Sequence, residues 1–316
     1  MHQPIMLAEV LRCLRPAPGE VAVDCTLGGG GHARAILEAI QPGGLLIGLD
    51  VDALELPRTG TRLRAAGFGP ASFVARHGSF ANLPDVLAAE GLASADVIVV
   101  DLGVSAMQHD TPARGFSYKY PGPLDLRMDP SRGQTGAILL AGLSEEALAA
   151  LLVAHADEPH AECIARLLKA QPLDTTNTLE RVVRLGLTGV MPTLTKADVK
   201  KSVRRTFQAL RIAVNNEFVA LEELLRVLPS CLSPGGRVAV LTFHSGEDRR
   251  VKKAFQAGRR TGAYAAIAET VIRSTRTETR ANRRAASAKL RWAVTPAPDP
   301  RARSRASRSP RRSPTP

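Results

Sequence analysis

The feature that most restricts the fold of this chain is the alternation of short apolar runs with helical stretches over its first hundred residues. Four runs have the length and composition of buried strands, at residues 21–24, 45–50, 71–76 and 96–101. Strands separated by single helices form βαβ units, whose right-handed crossovers bring the strands together in parallel. The pattern therefore predicts an α/β domain built on a parallel sheet.

The strand pattern stops near residue 112 and resumes only where Gly235 and Gly236 precede a central strand at 237–243. A last strand is expected at 290–294, directly after an arginine-rich stretch. An insert of about a hundred residues has the size of a small domain. The predicted division is a discontinuous α/β domain at residues 1–112 and 214–296, and an inserted all-helical domain at residues 113–213.

The chain is expected to contain helices alone from Leu143 to about Leu228, a stretch that begins within the insert and continues past it. Ser144 can cap the first of these, with two glutamates in its first turn. Apolar side chains at spacings of three and four then predict one long helix. They are Val203, Phe207, Leu210, Val214, Phe218, Leu221, Leu225 and Leu228. Residues 111–133, rich in glycine, proline and charge, predict an ordered functional loop or a hinge.

The net charge of +12 is concentrated toward the C-terminus. Residues 297–316 carry six arginines and one acid, so this tail contributes +5 and leaves +7 on the body. Its proline, arginine and serine content cannot bury a core, which predicts a disordered basic tail. The charge on the body suits either a solubilising surface or a polyanionic partner such as nucleic acid.

Composition places the chain among globular proteins, with 44% hydrophobic and 23% charged residues. No apolar run is long enough to predict a membrane span, and the first residues carry no export or transit signal. The four cysteines lie far apart and predict buried or half-buried free thiols in a reducing cytoplasm. No H-x-x-x-H pair occurs, so no metal is expected, and the sequence leaves the oligomeric state open.

A glycine-rich turn follows the first strand, where open α/β sheets bind ligands. Residues 24–32 read Asp-Cys-Thr-Leu-Gly-Gly-Gly-Gly-His, and such glycines either form a structural turn or let the backbone approach a ligand. Asp50 ends the second strand and can accept both ribose hydroxyls of a nucleoside cofactor. NAD and S-adenosylmethionine both fit this arrangement. Two details favour S-adenosylmethionine. Asp24 is better suited to an ammonium group than to a pyrophosphate, and the glycines lack a clean dinucleotide-binding spacing.

An ordered series of further segments covers most of the body. The most distinctive are Arg-Gly-Phe-Ser-Tyr at 114–118 and Gly-Pro-Leu-Asp-Leu-Arg-Met-Asp-Pro at 122–130. The others are His2 with residues 7–10, then residues 28–32, 77–80, 101–105, 205–212 and 243–249. Together these segments resemble the RsmH/MraW family of 16S rRNA cytosine-N4 methyltransferases.

The resemblance implies a Rossmann-like class I methyltransferase, dependent on S-adenosylmethionine, with an inserted all-helical domain. It also implies N4 methylation of a decoding-centre cytidine, position 1402 in the usual rRNA numbering, in the small ribosomal subunit. Carried over by motif, the cofactor site comprises Gly30, Gly31, His32, Asp50, Phe80, Asp101 and Gln108. Ala106 and Met107 stand where the family usually has Ser-Pro, so the loop presenting Gln108 is expected to be less rigid.

Two residues after the fourth strand are the catalytic candidates. The lone pair of a cytosine amine is delocalised into the ring, so an acceptor that aligns its N–H assists attack, while proximity supplies most of the acceleration. Asp101, Ser105 or a backbone carbonyl suits this task. Contact of Asp101 with the cofactor alone is the alternative. Phe80 is suited either to covering an adenine face or to ordinary core packing.

The predicted RNA contacts lie mainly in the loop after the fourth strand. Phe116 is expected to stack on a splayed base and the arginines to meet phosphates, unless the loop merely organises a domain junction. His244 and Ser245 are expected to shape the pocket, since no G-x-S-x-G elbow indicates a triad. The full substrate set is Arg114, Phe116, Asp125, Arg127, Asp129, Arg205, His244 and Ser245. Basic runs at 196–205 and 249–253 are either solvated faces or RNA-facing.

Two other functions remain open at this point. A non-catalytic RNA-binding or ribosome-assembly factor on a methyltransferase scaffold would bind RNA, but lost cofactor contacts would be its signature, and Gly30, Asp50 and Asp101 are intact. An NAD-dependent oxidoreductase would need a hydride-transfer site, which the sequence does not offer. Cofactor binding separates the three possibilities.

Overall fold

The strands form one twisted sheet in the computed structural model, which describes residues 4–297. The order is β3-β2-β1-β4-β5-β8-β6, with β7 also paired to β8. The first five strands in this order run parallel, and β8 runs antiparallel to β5. Their bounds are β1 Val21–Asp24, β2 Leu45–Asp50, β3 Phe73–His77, β4 Ala95–Asp101, β5 Leu232–Thr242, β6 Ala266–Ile267, β7 Ile272–Arg273 and β8 Lys289–Val294.

Helices connect the strands and form the insert between β4 and β5. Those around the sheet are α1 Leu7–Leu14, α2 Gly31–Ile40, α3 Glu55–Ala65, α4 Leu83–Ala89, α5 Ala106–Asp110, α11 Glu217–Cys231, α12 Ser245–Thr261 and α13 Arg276–Ala281. Those of the insert are α6 Gly136–Gly142, α7 Glu145–Ala156, α8 Ala161–Lys169, α9 Thr176–Val190 and α10 Lys196–Asn215. Short 3₁₀ turns lie at Phe80–Asn82, Pro112–Arg114 and Arg283–Ser287.

The sheet has a separate apolar core on each face, because successive side chains of a strand point to opposite sides. Val23 of β1 belongs to one core with residues of α4, α11 and α12. Its neighbour Ala22 belongs to the other, with residues of α1, α2 and α3. Burial on both faces explains why these strands are nearly continuous apolar runs in the sequence. The predicted Rossmann-like α/β fold is confirmed.

The inserted helices bury a third core whose fully buried members all come from residues 124–210. Ser144 caps α7 as predicted, its hydroxyl accepting the Ala147 N–H at 3.1 Å. An independent core supports the predicted division into an α/β domain and a helical insert. The boundaries at 112/113 and 213/214 themselves stay a prediction.

The single long helix predicted over residues 203–228 is wrong. Asn216 adopts a left-handed conformation, with φ of 51° and ψ of 37°, and separates α10 from α11. Asparagine tolerates this conformation better than most residues. The apolar spacing from Val214 to Phe218 continues across the break, which conceals it in the sequence. The stripe divides between two cores, the insert burying Val203, Phe207 and Leu210 and the sheet domain burying Leu221, Leu225 and Leu228.

Smaller differences from prediction concern the ends of elements. β3 begins two residues later than expected. β5 begins at Leu232 rather than at Arg237, and it ends before Phe243. The sheet is mixed, since β8 is antiparallel. The cysteines are free thiols as predicted, Cys25 and Cys231 being buried and the other two half-buried. The predicted tail lies outside the described residues except for Ala297.

No helix within residues 4–297 is both long and apolar enough to cross a membrane.

Candidate active site

A cavity of about 1170 Å³ opens along the carboxyl edge of the sheet. Its floor comes from residues that follow β1, β2, β4 and β5, as expected for an open α/β fold. Its far wall comes from residues 127–133 and from the α10–α11 junction. The predicted site residues on its lining are Gly30, Gly31, His32, Asp50, Phe80, Asp101, Ser105, Gln108, Arg127 and Asp129.

The glycine-rich turn after β1 has a conformation that needs glycine. Gly28 and Gly30 have φ of 45° and 76°. A Cβ on Gly30 would lie 2.7 Å from the Thr59 methyl, whereas one on Gly29 would meet nothing within 4 Å. The turn places the N-terminus of α2, which starts at Gly31, beside the cavity. Exposed backbone N–H groups there can meet a carboxylate.

Asp50 is held in place by the backbone on both of its oxygens. Its Oδ2 accepts the Gly28 N–H at 2.7 Å and its Oδ1 accepts the Asp52 N–H at 2.8 Å. Each carboxylate oxygen has a second lone pair, so the group can still accept from two hydroxyls. Burial raises the pKa of Asp50, and these backbone hydrogen bonds oppose the rise.

Asp52 is a site residue that the sequence reasoning missed. It is 1% exposed, lines the cavity, and its Oδ2 accepts from Gln108 Nε2 and Arg114 Nη1, each at 2.8 Å. Its Oδ1 accepts the Leu54 N–H at 3.0 Å. Asp52 therefore connects the end of β2 to the loop after β4. The second acid of the Asp-Val-Asp run was the available signal.

Gln108 is fixed by reciprocal hydrogen bonds at the start of α5. Ser105 Oγ accepts the Gln108 N–H at 3.1 Å, and Gln108 Oε1 accepts the Ser105 N–H at 2.9 Å. This capping box, together with the bond to Asp52, orders the loop without the proline expected from the family pattern. The Ser105 hydroxyl hydrogen remains available at the cavity.

Asp101 and His32 form a pair on the cavity floor. His32 Nε2 lies 3.0 Å from the Ile5 carbonyl, which can only accept, so Nε2 donates. Burial lowers the pKa of His32, which favours the neutral ring and leaves the Nδ1 lone pair 3.6 Å from Asp101 Oδ2. Burial, with the nearby charge of Glu247, raises the pKa of Asp101 to about 7.

The two oxygens of Asp101 differ in their surroundings. Oδ1 is buried and has no hydrogen-bond partner within residues 4–297, while the side chain as a whole is 28% exposed. A carboxyl group with a pKa near neutrality that is partly exposed to the cavity can take up a proton there.

The predicted contact of Asp24 with an ammonium group is not supported. Its side chain is 2% exposed and does not line the cavity. Its Oδ1 accepts the Thr26 N–H at 3.0 Å, and Thr26 Oγ1 in turn accepts the Asp101 N–H at 2.6 Å. Asp24 therefore stabilises the turn, and Asp101 of the next strand faces the cavity instead.

Phe80 begins the 3₁₀ turn after β3, where Ser79 caps the turn. Its ring lines the cavity and also packs against one of the two sheet cores. Both predicted roles, covering a ligand and contributing to the core, are compatible with this position.

Arg114 is directed inward, away from solvent. Its guanidinium donates to Asp52 and to the carbonyls of Arg127 and Met128, at 3.1 and 2.7 Å. Arg114 is 9% exposed and its hydrogen bonds order the loop. This geometry does not support the predicted phosphate contact. Arg127 itself pairs bidentately with Asp125, at 2.7 and 2.9 Å.

The other predicted substrate residues are dispersed. Asp129 lines the cavity, with its Oδ2 3.5 Å from His77 Nε2. Phe116 is half-buried against the helical core. Arg205 lies on α10, with its Nη1 4.0 Å from Oε2 of Glu158, which follows α7. Neither residue lines the cavity. His244 and Ser245 begin α12 just outside the lining, with His244 Nδ1 accepting the Glu247 N–H.

The α10–α11 junction supplies further lining that sequence reasoning missed. Asn215 Nδ2 donates to the Leu126 carbonyl and its Oδ1 accepts the Met128 N–H, both at 2.7 Å. Arg211 spans the break to Glu217 with two bonds of 2.7 and 2.8 Å. An Asn-Asn pair inside an apolar stripe was the signal for a helix break.

Residues 4–297 contain no group of three or more His, Cys, Asp or Glu side chains placed to hold a metal ion.

This fold and cavity, together with the family that the chain matches, define the class: an S-adenosylmethionine-dependent methyltransferase. Residues 1–295 match the MraW methylase family, and the chain belongs to this family. It is 43% identical over 299 residues to ribosomal RNA small subunit methyltransferase H 2 of Alkaliphilus metalliredigens, covering 93% of this chain and 85% of that protein. It is 43% identical over 312 residues to ribosomal RNA small subunit methyltransferase H of Syntrophotalea carbinolica, covering 92% and 96%.

Proposed function

We propose that this protein methylates N4 of a decoding-centre cytidine, position 1402, in the 16S rRNA of the small ribosomal subunit. The observation that carries the proposal is one continuous cavity that joins the glycine-rich turn, Asp101 and the α10–α11 junction. Such a cavity has room for a nucleoside cofactor at one end and a flipped nucleoside at the other. The names of the relatives, which specify small subunit rRNA, support the RNA as substrate.

The cofactor would lie over the end of the sheet nearest β1 and β2. The open space at Gly29 and the N-terminus of α2 suit its carboxylate, and the free lone pairs of Asp50 suit the ribose. Phe80 would cover the adenine, while Gln108 and Asp52 close the wall beside it. The proposed contacts are Gly30, Gly31, His32, Asp50, Phe80, Asp101 and Gln108.

The target base would lie between Asp101 and the far wall. This part of the cavity is lined on one side by Arg127 and Asp129 and on the other by the α10–α11 junction. Asn215 fixes their spacing, because it bonds the backbone of the loop from the end of α10. A base that enters here leaves its neighbouring nucleotides at the cavity mouth.

Bound S-adenosylmethionine supplies an electrophilic methyl group. Asp101 is the acceptor best placed to align the N4–H of cytosine and then to take its proton as the new C–N bond forms, because its carboxyl group is partly exposed on the cavity floor. A pKa of about 7 lets the carboxylate accept this proton near neutral pH and release it afterwards. Ser105 is the alternative acceptor, and it borders the same space.

The remaining predicted substrate contacts belong to this proposal in two groups. Arg127 and Asp129 can touch the nucleotide in the cavity. Arg205, on the insert, can meet RNA only outside it. Arg114 and Asp125 support Arg127. His244 and Ser245 directly follow the lining residue Phe243, and Phe116 packs against the helical core.

The test is methyl transfer from labelled S-adenosylmethionine to small subunits that lack this modification, followed by nucleoside mapping. The wild-type protein should label N4 of the decoding-centre cytidine. Asp101→Ala should lower the rate by about 10² or more, and Ser105→Ala should lower it less. Label at another nucleoside would overturn the target, and RNA binding without any transfer would favour the non-catalytic assembly factor.

A further inference from the structure

The arginine-rich stretch before β8 lies beside the mouth of the cavity. We call residues 273–287 the basic segment. It connects β7 to β8, whose first residue, Lys289, pairs with Thr242 at the carboxyl end of β5. The segment therefore lies beyond the sheet edge where the cavity opens. Two of its residues, Arg284 and Ser287, are part of the cavity lining.

Specific bonds hold the basic segment in a fixed position. Glu278 Oε1 accepts the Met6 N–H at 2.6 Å, next to cavity-lining Ile5. Arg284 Nη2 bonds Asp110 Oδ1 at 2.7 Å, at the end of α5. Ser274 Oγ donates to the Ala285 carbonyl at 2.7 Å and closes the segment on itself. These contacts tie the segment to two sides of the cavity mouth.

Among the residues that the structure describes, the charge of the basic segment is neutralised by its neighbours only at Arg284, which pairs with Asp110. It contains five arginines and one acid, Glu278, whose Oε1 already accepts the Met6 N–H. Four arginines are exposed and form no ion pair within residues 4–297: Arg273, Arg276, Arg280 and Arg283. Arginines of the run at 249–253 differ, since Arg249 pairs with Asp157 and Arg250 with Glu222.

We propose that the basic segment binds phosphates of the RNA strand that flanks the target nucleotide. The choice of RNA rests on the proposed function, while the phosphate chemistry follows from the segment itself. Arg276 and Arg280 lie on one face of α13, four residues apart, and guanidinium groups bind phosphate oxygens bidentately. A strand whose base occupies the cavity can leave past this surface, so the segment would hold the substrate in register.

The test compares two variants that each remove three positive charges. The segment variant is Arg276→Gln, Arg280→Gln and Arg283→Gln. The control is Arg15→Gln, Arg259→Gln and Arg260→Gln, all exposed; the Arg15 carbonyl accepts from Arg237 near the amino end of the parallel strands, and the other two lie in the last turn of α12. α12 starts at the cavity edge. The strand that follows it, β6, pairs with Val294 of β8, which lies opposite Arg237 near the amino end of the parallel strands. The last turn of α12 therefore lies at the opposite edge.

The measurement is binding of a decoding-centre fragment of 16S rRNA as a function of salt, without methyl transfer. The segment variant should bind about 10- to 100-fold more weakly near 0.1 M salt, and its slope of log affinity against log salt should fall by about 2. The control should keep the wild-type slope. Replacing the same three arginines by lysine should restore most of the affinity, because the charge is retained.

An unchanged slope in the segment variant, or an equal loss in the control, would overturn the inference. Binding of S-adenosylmethionine by each variant, expected to match the wild type, shows that the cavity is intact. If the wild type transfers no methyl group but the segment variant still loses its salt slope, the proposed function fails and the phosphate site stands. If the wild type transfers a methyl group and both variants keep the wild-type salt dependence, the phosphate site fails and the proposed function stands.

Discussion

Two carboxylates on neighbouring strands show how position decides the role of a residue. Asp24 ends β1 and Asp101 ends β4, and burial raises the pKa of both, to about 6 and about 7. Asp24 is enclosed beneath the glycine-rich turn, whereas Asp101 reaches the cavity. The same residue type therefore stabilises a turn at one position and faces the cavity at the other.

The pH dependence of methyl transfer should follow Asp101. Below pH 7 the carboxyl group is protonated and cannot accept the N4 proton, so the rate should rise with pH and reach half its maximum near pH 7. Asp101→Asn should be at least about 10²-fold slower and should lose this midpoint. Single-turnover rates between pH 5.5 and 8.5, with saturating cofactor, measure both effects.

Asp24→Asn is the matched control, because it removes a second buried carboxylate that does not line the cavity. Its rate profile should keep the midpoint near pH 7. Raised pKa values also mean that these groups stabilise the folded protein fully below the unfolded pKa of 3.8, and that this contribution is lost progressively as the pH rises from about 4 through the folded pKa values of about 6 and 7. A wild-type rate profile in Asp101→Asn would exclude Asp101 as the proton acceptor.

At the scale of elements, the turn between β1 and α2 concentrates the conformational demands of the site. Its glycines differ in what they require, although all four look alike in the sequence. Gly30 combines a positive φ with close packing against Thr59, while Gly29 has neither constraint. The position of the helix N-terminus depends on Gly30, and the space above Gly29 is open to a ligand.

Gly30→Ala should therefore be costly. A Cβ within 2.7 Å of the Thr59 methyl, added to a strained φ, should lower the free energy of unfolding by about 1–3 kcal/mol and weaken cofactor binding. Gly29→Ala should leave stability nearly unchanged and, if the cofactor occupies the open space, should weaken binding alone. Urea unfolding and calorimetric titration with S-adenosylmethionine distinguish the two. Equal stability of both variants would contradict the geometry.

At the scale of the whole molecule, the sheet domain and the loop leading into the insert are joined through Asp52. The Asp52–Arg114 pair is nearly excluded from solvent, and Gln108 shares the same carboxylate oxygen. Asn215 makes the corresponding connection from the end of α10 to the loop at Met128. The two walls of the cavity are therefore held by buried polar contacts that lie far apart in the sequence.

Breaking the Asp52–Arg114 pair should affect both stability and the site. Asp52→Ala leaves a buried guanidinium without its carboxylate, which should cost about 3–5 kcal/mol of unfolding free energy. Glu38→Ala, which breaks the exposed Arg34–Glu38 pair, should cost less than about 1 kcal/mol. Chemical denaturation measures both, and a similar small loss in each variant would show that the buried pair is not required.

Much of the fold was predictable because its signals are local. The first four strands, the cap at Ser144 and the carboxylates after β2 and β4 follow from short apolar runs and from residues that end them. Even the wrong prediction had a local cause, since the spacing from Val214 to Phe218 keeps helical phase across Asn216. Periodicity alone does not reveal a single left-handed residue.

The sequence by itself determined the α/β class, the helical insert and the identity of most residues on the cavity floor. Only the tertiary structure decided that Arg114 turns inward, that Asp24 is enclosed, and that Asp52 and Asn215 hold the two walls. Backbone periodicity and turn chemistry act over a few residues and can be read along the chain. Which polar side chains meet in a buried site depends on packing between elements that are distant in the sequence.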